Sequence, residues 1–288
     1  WDSRERTLLL ARDPFGIKPL YYARPQGVRL AFASEVRGLL AGDMAAPRLD
    51  RAALADYLLY GFICEPRTIV EGVRMLDPGG WLRLGPDGSL RSGSTAGDLF
   101  PRSDRPTPPH ELRDHFLKAV ESHLVSDVTI GAFLSGGVDS SAVVGAMARI
   151  AGGRARALTV TFPDAESFSE GAEAADWARR CGVAHDQVPV TGADLLAMLP
   201  EALSAMDQPT TDGVNTFVVS RAARQAGLTV ALSGLGGDEL FGGYPTFRDV
   251  PRSLRWRRVL GPLASPLAWC VRRAAPPLHR RPAKLADL

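Results

Sequence analysis

Ala132-Phe133-Leu134-Ser135-Gly136-Gly137-Val138-Asp139-Ser140-Ser141 reads as a strand that passes through a glycine turn into a helix. Val128 to Leu134 is apolar and partly β-branched, as a strand covered on both faces must be, and Ser141 to Ile150 sets alanine, valine and methionine on a helical pattern. Gly136 and Gly137 let backbone N–H groups approach an anion with no Cβ in the way, and a helix opened by Ser140 adds oriented donors and a dipole. Phosphate is therefore expected at the junction. A carboxylate beside it, Asp139, can hold Mg²⁺, which keeps some of its waters and bridges phosphate oxygens. No Lys follows the glycines, so the loop lacks the group that grips β and γ phosphates in phosphoryl transfer, and a departing pyrophosphate suits it better. The competing account is a plain glycine turn with Asp and Ser as helix caps.

Around this stretch the chain has 288 residues, enough for two domains, and 45% of them are hydrophobic, enough for real cores. A net charge of +2 points neither to nor away from nucleic acid, and of 34 basic residues only Lys18, Lys118 and Lys284 are lysines. Cys64, Cys181 and Cys270 are widely spaced with no CxxC, so neither a disulfide framework nor a zinc site is indicated. His110, His115 and His123 do not share one face of their helix and read as surface groups. With no apolar run of membrane length and no signal peptide, a soluble cytoplasmic protein is expected. The first residue is Trp1 and it stands inside a strand hairpin pattern, so a fragment is expected as well.

Downstream of the glycine turn, Ala157 to Phe162 and Asp186 to Val190 read as further strands with a helix up to Arg180 between them. A run of such units predicts an α/β fold with a doubly wound parallel sheet, which binds ligands beyond its C-terminal strand ends. Asp207 and Asp212 are caps for the flanking helices or site acids. Thr229 to Leu232 is a last strand and delivers Ser233-Gly234-Leu235-Gly236-Gly237-Asp238-Glu239-Leu240-Phe241-Gly242-Gly243-Tyr244, a glycine-rich loop whose backbone can meet a nucleotide and whose Asp238 can reach a metal. The tail from Arg252 to Arg281 reads as solvated helices with arginines lying along them.

SGGVDSS resembles the PP-loop of the ATP pyrophosphatases. Together with SGLGGDELFGGY it resembles the asparagine synthetase family across essentially the whole chain, and ARDPFGIKPLYY followed by FASEVRGLL is similar to the closing segment of that family's class II glutaminase domain. The resemblance implies the end of an N-terminal-nucleophile glutaminase domain over 1–46, an interdomain bridge and linker over 47–108, and a PP-loop synthetase domain over 109–288 that continues into a helical region. It implies that Ser135, Gly136, Gly137, Asp139, Ser140 and Ser141 hold ATP phosphates and Mg²⁺. Val160 would line the adenine pocket, Ser233 and Gly234 would touch the nucleotide, and Asp238 would be the second magnesium ligand.

The activity implied is that of an ATP-dependent carbon–nitrogen ligase, which adenylates a carboxylate of aspartate or a related acid, releases pyrophosphate and forms an amide with ammonia from glutamine. The glutaminase cysteine is N-terminal in the family and Cys64 is internal, so it is no substitute. The third position of SG-acid-GGDE, usually an acid credited with helping amination, is Leu235, which cannot move a proton. Two alternatives remain open at this point. One is an amide- or lactam-forming synthetase that uses a substrate amine beside a vestigial glutaminase; the other is a non-catalytic nucleotide-binding or interaction fragment. The partners expected are the carboxylate, ATP, glutamine through the upstream region and, as a possible homodimer, a second copy, with neither nucleic acid nor membrane.

Overall fold

The computed structural model describes residues 1–95, 97, 106–165 and 169–260. The centre of the linker read above, Cys270, Lys284 and the tail after 260 lie outside them. The described chain forms two compact units. Trp1–Phe116, a short stretch from Phe162, and Pro189–Gly227 make the first; Leu117–Thr161, most of the segment up to Val188, and the chain from Leu228 onward make the second.

In the first unit β1 (Leu8–Ala11), β5 (Gly80–Leu84) and β6 (Leu90–Ser94) form one antiparallel sheet, and β3 (Ala31–Ala33), β2 (Tyr21–Ala23) and β4 (Val73–Met75) another. The alternation of side chains along short strands sends Tyr21, Ala23, Ala31 and Val73 to one core with Val36, Leu39 and Val70, while Leu10, Leu76 and Leu82 form a second. Gly93 carries no side chain because the Trp81 ring crosses it: a Cβ there would stand 2.5 Å from Trp81 Cζ2. Helix α1 is Val36–Ala41, and α2 is Arg51–Tyr60, capped by Asp50 Oδ1, which accepts from the Ala52 and Ala53 amides.

Arg12, 8% exposed, ties this unit together. Its guanidinium donates to the carbonyls of Leu76 (2.7 Å), Gly16 (2.7 Å) and Lys18 (3.3 Å) and to Glu65 Oε2 (2.8 Å). Next to it, the Asp13 carboxylate accepts from the amides of Phe15, Ile17 and Lys18, which closes the Pro-Phe-Gly turn and holds the Asp13 carboxyl below the usual range.

Two later helices, α6 (Gly192–Ala205) and α7 (Gly213–Gln225), belong to this first unit, and the segment between them docks on it. Asp207 is not a cap of its neighbours. Its carboxylate accepts from the Val36 amide at 2.7 Å and the Arg37 amide at 2.9 Å, capping α1, whose own N-cap residue Glu35 makes no side-chain cap bond. Gln208 Oε1 accepts from the Ile69 amide at 2.8 Å, and the Thr211 amide donates to the Gly61 carbonyl at 2.9 Å. Asp212 stands at the N-cap position of α7 without a side-chain bond to its amides, meeting the Thr216 hydroxyl instead at 3.4 Å.

The second unit is the expected parallel α/β sheet. β7 (Ile130–Phe133), β8 (Arg156–Thr161), β9 (Ala184–Pro189) and β10 (Val230–Leu232) lie in the order β10-β7-β8-β9, with β7 parallel to both β8 and β10. Chain order moves outward from β7 through β8 to β9 and then returns to the other side of β7. The reversal leaves a crevice between the C-terminal ends of β7 and β10, the place where such sheets bind ligands. Helix α3 (Pro109–His123) precedes β7; α4 (Val138–Ala151) packs on β7 and on α5 (Gly171–Cys181), with Ala132, Leu134, Val144, Met147 and Leu158 as the core. α8 (Gly237–Phe241) and α9 (Thr246–Leu260) follow β10.

Two local readings are corrected. α4 is opened by Gly137 as N-cap, with Val138 already helical, so Ser140 lies inside the first turn; its hydroxyl turns back into the loop and cannot cap. The glycine-rich stretch after β10 is not all loop, because Gly237–Phe241 closes one helical turn between the left-handed Gly236 (φ 99°) and Gly242 (φ 69°).

Candidate active site

The first site loop leaves the sheet at Leu134, whose amide still pairs with the Leu158 carbonyl at 2.9 Å. Gly136 has φ +77°, and a Cβ on it would stand 2.8 Å from Glu173 Cβ, where α5 passes. Glycine is required there on both counts. Inside the loop Ser140 Oγ donates to the Gly137 carbonyl (3.2 Å) and accepts from the Ser135 amide (3.2 Å). The two hydroxyls also meet each other at 3.0 Å. Ser140 and Ser141 are each 8% exposed, and the Ser141 carbonyl accepts from Trp177 Nε1 at 3.0 Å. Ser141 N is the first amide of α4 to find its partner, Gly137 O, so the N–H groups of Val138, Asp139 and Ser140, at the start of the helix, have no intrahelical acceptor. Those donors open a helix of fourteen residues.

The second loop meets the first. A Cβ on Gly234 would lie 2.8 Å from Ser140 N and 3.0 Å from Asp139 Cβ, and one on Gly237 would lie 2.7 Å from both carboxylate oxygens of Asp139. These two glycines exist so that the loops can touch. Asp238, in the first turn of α8, sets Oδ1 against Gly243, leaving no room for a side chain there. The Tyr244 hydroxyl donates to Glu239 Oε1 at 2.8 Å, which lowers the Glu239 carboxyl. The tyrosine is raised, first by that bond and further by the charges of Asp238 and Asp139. Ser233 Oγ accepts from the Leu235 amide at 3.2 Å, while the Leu235 side chain is 85% exposed. Val160, half-buried on β8, follows the buried Thr159.

The arrangement brings Ser135, Gly136, Gly137, Asp139 and Ser140 together with Gly234 and the start of α8. Among the described residues no three His, Cys, Asp or Glu side chains form a metal cage. Asp139, in the first turn of α4, and Asp238, in the first turn of α8, are hard oxygen donors, the type that fits Mg²⁺ when phosphate and water complete its shell. Beside the loop stand side chains to which the sequence assigned no site role: Thr159, whose hydroxyl in an apolar strand was the available sign, Trp177, Tyr244 and His185, which with Asp186 departs from the paired histidines common in the family that the sequence resembles.

His185 yields a pH prediction. Burial pushes its imidazole below the ordinary value, with Asp186 partly opposing. The unfolded chain therefore binds a proton more readily than the folded one. Stability is full above the unfolded pKa of about 6.5 and falls as pH drops through it toward the folded value. Thermal denaturation between pH 8 and 5 is expected to show that loss, with a shallower slope for His185→Gln.

The asparagine synthase family profile matches residues 111–287 and a glutamine amidotransferase domain profile matches residues 1–92. The chain is 34% identical to asparagine synthetase [glutamine-hydrolyzing] 1 of Bacillus subtilis, over 88% of this chain and 40% of that protein. It is 36% identical to a putative asparagine synthetase [glutamine-hydrolyzing] of Mycobacterium tuberculosis, over 93% of this chain and 43% of that one. Among solved structures, a glutamine-dependent NAD⁺ synthetase from Acinetobacter baumannii in complex with ADP aligns with a TM-score of 0.36 and 16% identity over 61% of this chain and 32% of that one. The chain spans about two fifths of the length of these curated relatives. A profile match that covers more than half of the residues, on a parallel sheet with both glycine loops at its reversal, shows that this chain belongs to the asparagine synthase family.

Proposed function

We propose that the chain carries the nucleotide-binding core and part of the glutamine-handling half of a glutamine-dependent amidotransferase of the asparagine synthetase type. A substrate carboxylate, of aspartate or a related acid, attacks the α-phosphorus of ATP; pyrophosphate leaves, and an acyl-adenylate remains. Ammonia from glutamine attacks the acyl carbon, AMP departs and an amide forms. The amides of Val138, Asp139 and Ser140 receive the departing pyrophosphate, within the cradle of Ser135, Gly136, Gly137 and Ser141. Ser233, Gly234 and Val160 border the nucleoside. Mg²⁺ held by Asp139 and Asp238 would neutralise charge on the leaving group. ATP and glutamine as co-substrates support a cytoplasmic location for this reaction.

The observation that carries this reading is the meeting of the two glycine loops at Asp139, whose carboxylate abuts Gly237. Leu235 favours a second reading of the amination half. An exposed leucine offers neither acid nor base beside the adenylate, so the acceptor is a carboxylate other than free aspartate, or the attacking nitrogen is an amine of the substrate itself. Calorimetry on the folded chain is expected to show ATP binding that Mg²⁺ strengthens and excess EDTA weakens. A folded chain that binds no Mg²⁺-ATP would overturn the assignment.

A further inference from the structure

The strands beside the phosphate loop carry polar side chains that the reaction itself does not use. Thr159 on β8 is 4% exposed, and its Oγ1 lies 2.6 Å from the Leu134 carbonyl and 2.7 Å from His185 Nε2 on β9. A threonine hydroxyl has one proton, and a carbonyl can only accept, so that proton goes to Leu134. His185 Nε2 must then be the donor to Thr159, which sets the neutral imidazole in its Nε2–H tautomer. The chain runs His185 Nε2–H to Thr159 Oγ1–H to Leu134 C=O.

Its end point matters because the Leu134 carbonyl and the Ser135 amide belong to one planar peptide unit. Thr159 fixes that plane through its oxygen, and Ser140 Oγ fixes it through its N–H at 3.2 Å. The next residue but one, Gly136, is the left-handed turn of the phosphate loop. A tilt of this plane would redirect the loop and, with it, the donors at the start of α4. We infer that Thr159 and His185 are positioning residues for the phosphate loop, acting through the Leu134–Ser135 peptide plane without touching substrate.

Two paired substitutions separate the hydrogen bond from packing. Thr159→Val keeps the shape and loses the hydroxyl; Thr159→Ser keeps the hydroxyl and loses the methyl. Amide hydrogen exchange of residues 135–140, measured without nucleotide, is expected to quicken about tenfold in Thr159→Val and to stay near wild type in Thr159→Ser, with Mg²⁺-ATP affinity falling about tenfold in the first alone. His185→Leu is expected to act in the same direction and less strongly, and it serves as the test should Thr159→Val fail to fold. The reverse order, with valine silent and serine impaired, would make the site one of packing and overturn the inference. The affinity comparison rests on the proposed function, but the exchange measurement does not. A wild type that fails to bind Mg²⁺-ATP would refute that function, while the exchange data would still decide whether the brace exists.

Discussion

Asp139→Ala is expected to weaken Mg²⁺-ATP binding at least about a hundredfold, since a cation clamp on phosphate is worth several kcal/mol and tenfold in affinity corresponds to ~1.4 kcal/mol. The carboxylate stands in the first turn of α4 and against Gly237, so its loss removes the point at which the two loops share one charge. The sign of the effect depends on the metal. With EDTA present, a carboxylate beside polyphosphate only repels it, and the alanine variant should then bind free ATP no worse than wild type does. Asp139→Asn, which keeps the shape, should follow alanine, and Asp238→Ala should shift binding in the same direction. Gly237→Ala tests the same contact from the other loop, because its methyl would occupy the space of the Asp139 carboxylate. Calorimetry with and without Mg²⁺, on variants whose circular dichroism matches wild type, reads all of these. Equal Mg²⁺-ATP affinity in wild type and Asp139→Ala would discard the metal assignment.

Arg12→Ala is expected to lower the stability of the first unit by about 3 kcal/mol, read from urea denaturation. Most of that loss arises at the carbonyls. The Leu76 carbonyl bond is buried, and alanine leaves that acceptor with neither a donor nor water, while Glu65, 41% exposed, can return to solvent. Arg12→Lys keeps the charge but cannot serve acceptors at Gly16, Leu76 and Glu65 with one planar fork, so it should recover only a minor part. A loss under about 1 kcal/mol for alanine would mean that the arginine is incidental to this fold.

The parts of the fold that rest on local chemistry were legible in the sequence. The apolar run before Ser135, the paired glycines and the small-residue helix after them have few other ways to fold, and the acid-bearing glycine loop after Leu232 follows from the same logic. Less legible were the roles of short polar side chains. Ser140 looks like a helix cap, yet it sits three residues past the true cap and wires the loop to itself, because a serine in a first turn can reach back as readily as forward. The one-turn helix at Gly237–Phe241 was hidden by its flanking glycines, which read as loop. Thr159 and His185 stand on neighbouring strands, and no spacing along the chain announces that a hydroxyl on one will be shared with an imidazole on the other. Asp207 shows the same limit at long range, since the helix that it caps begins 171 residues earlier.

That distant cap sets the terms on which this protein can be recombined. Val36, Arg37 and Ile69 offer amides that are completed by Asp207 and Gln208, side chains encoded far downstream, beyond the strand that carries the phosphate loop. A polypeptide that ends before Pro189 would expose those donors with nothing in its own sequence to replace the carboxylate. The compact unit that holds this cap is therefore discontinuous in the gene. A chimera that exchanges the N-terminal segment between relatives should keep its stability only when residues 204–211 travel with it from the same parent.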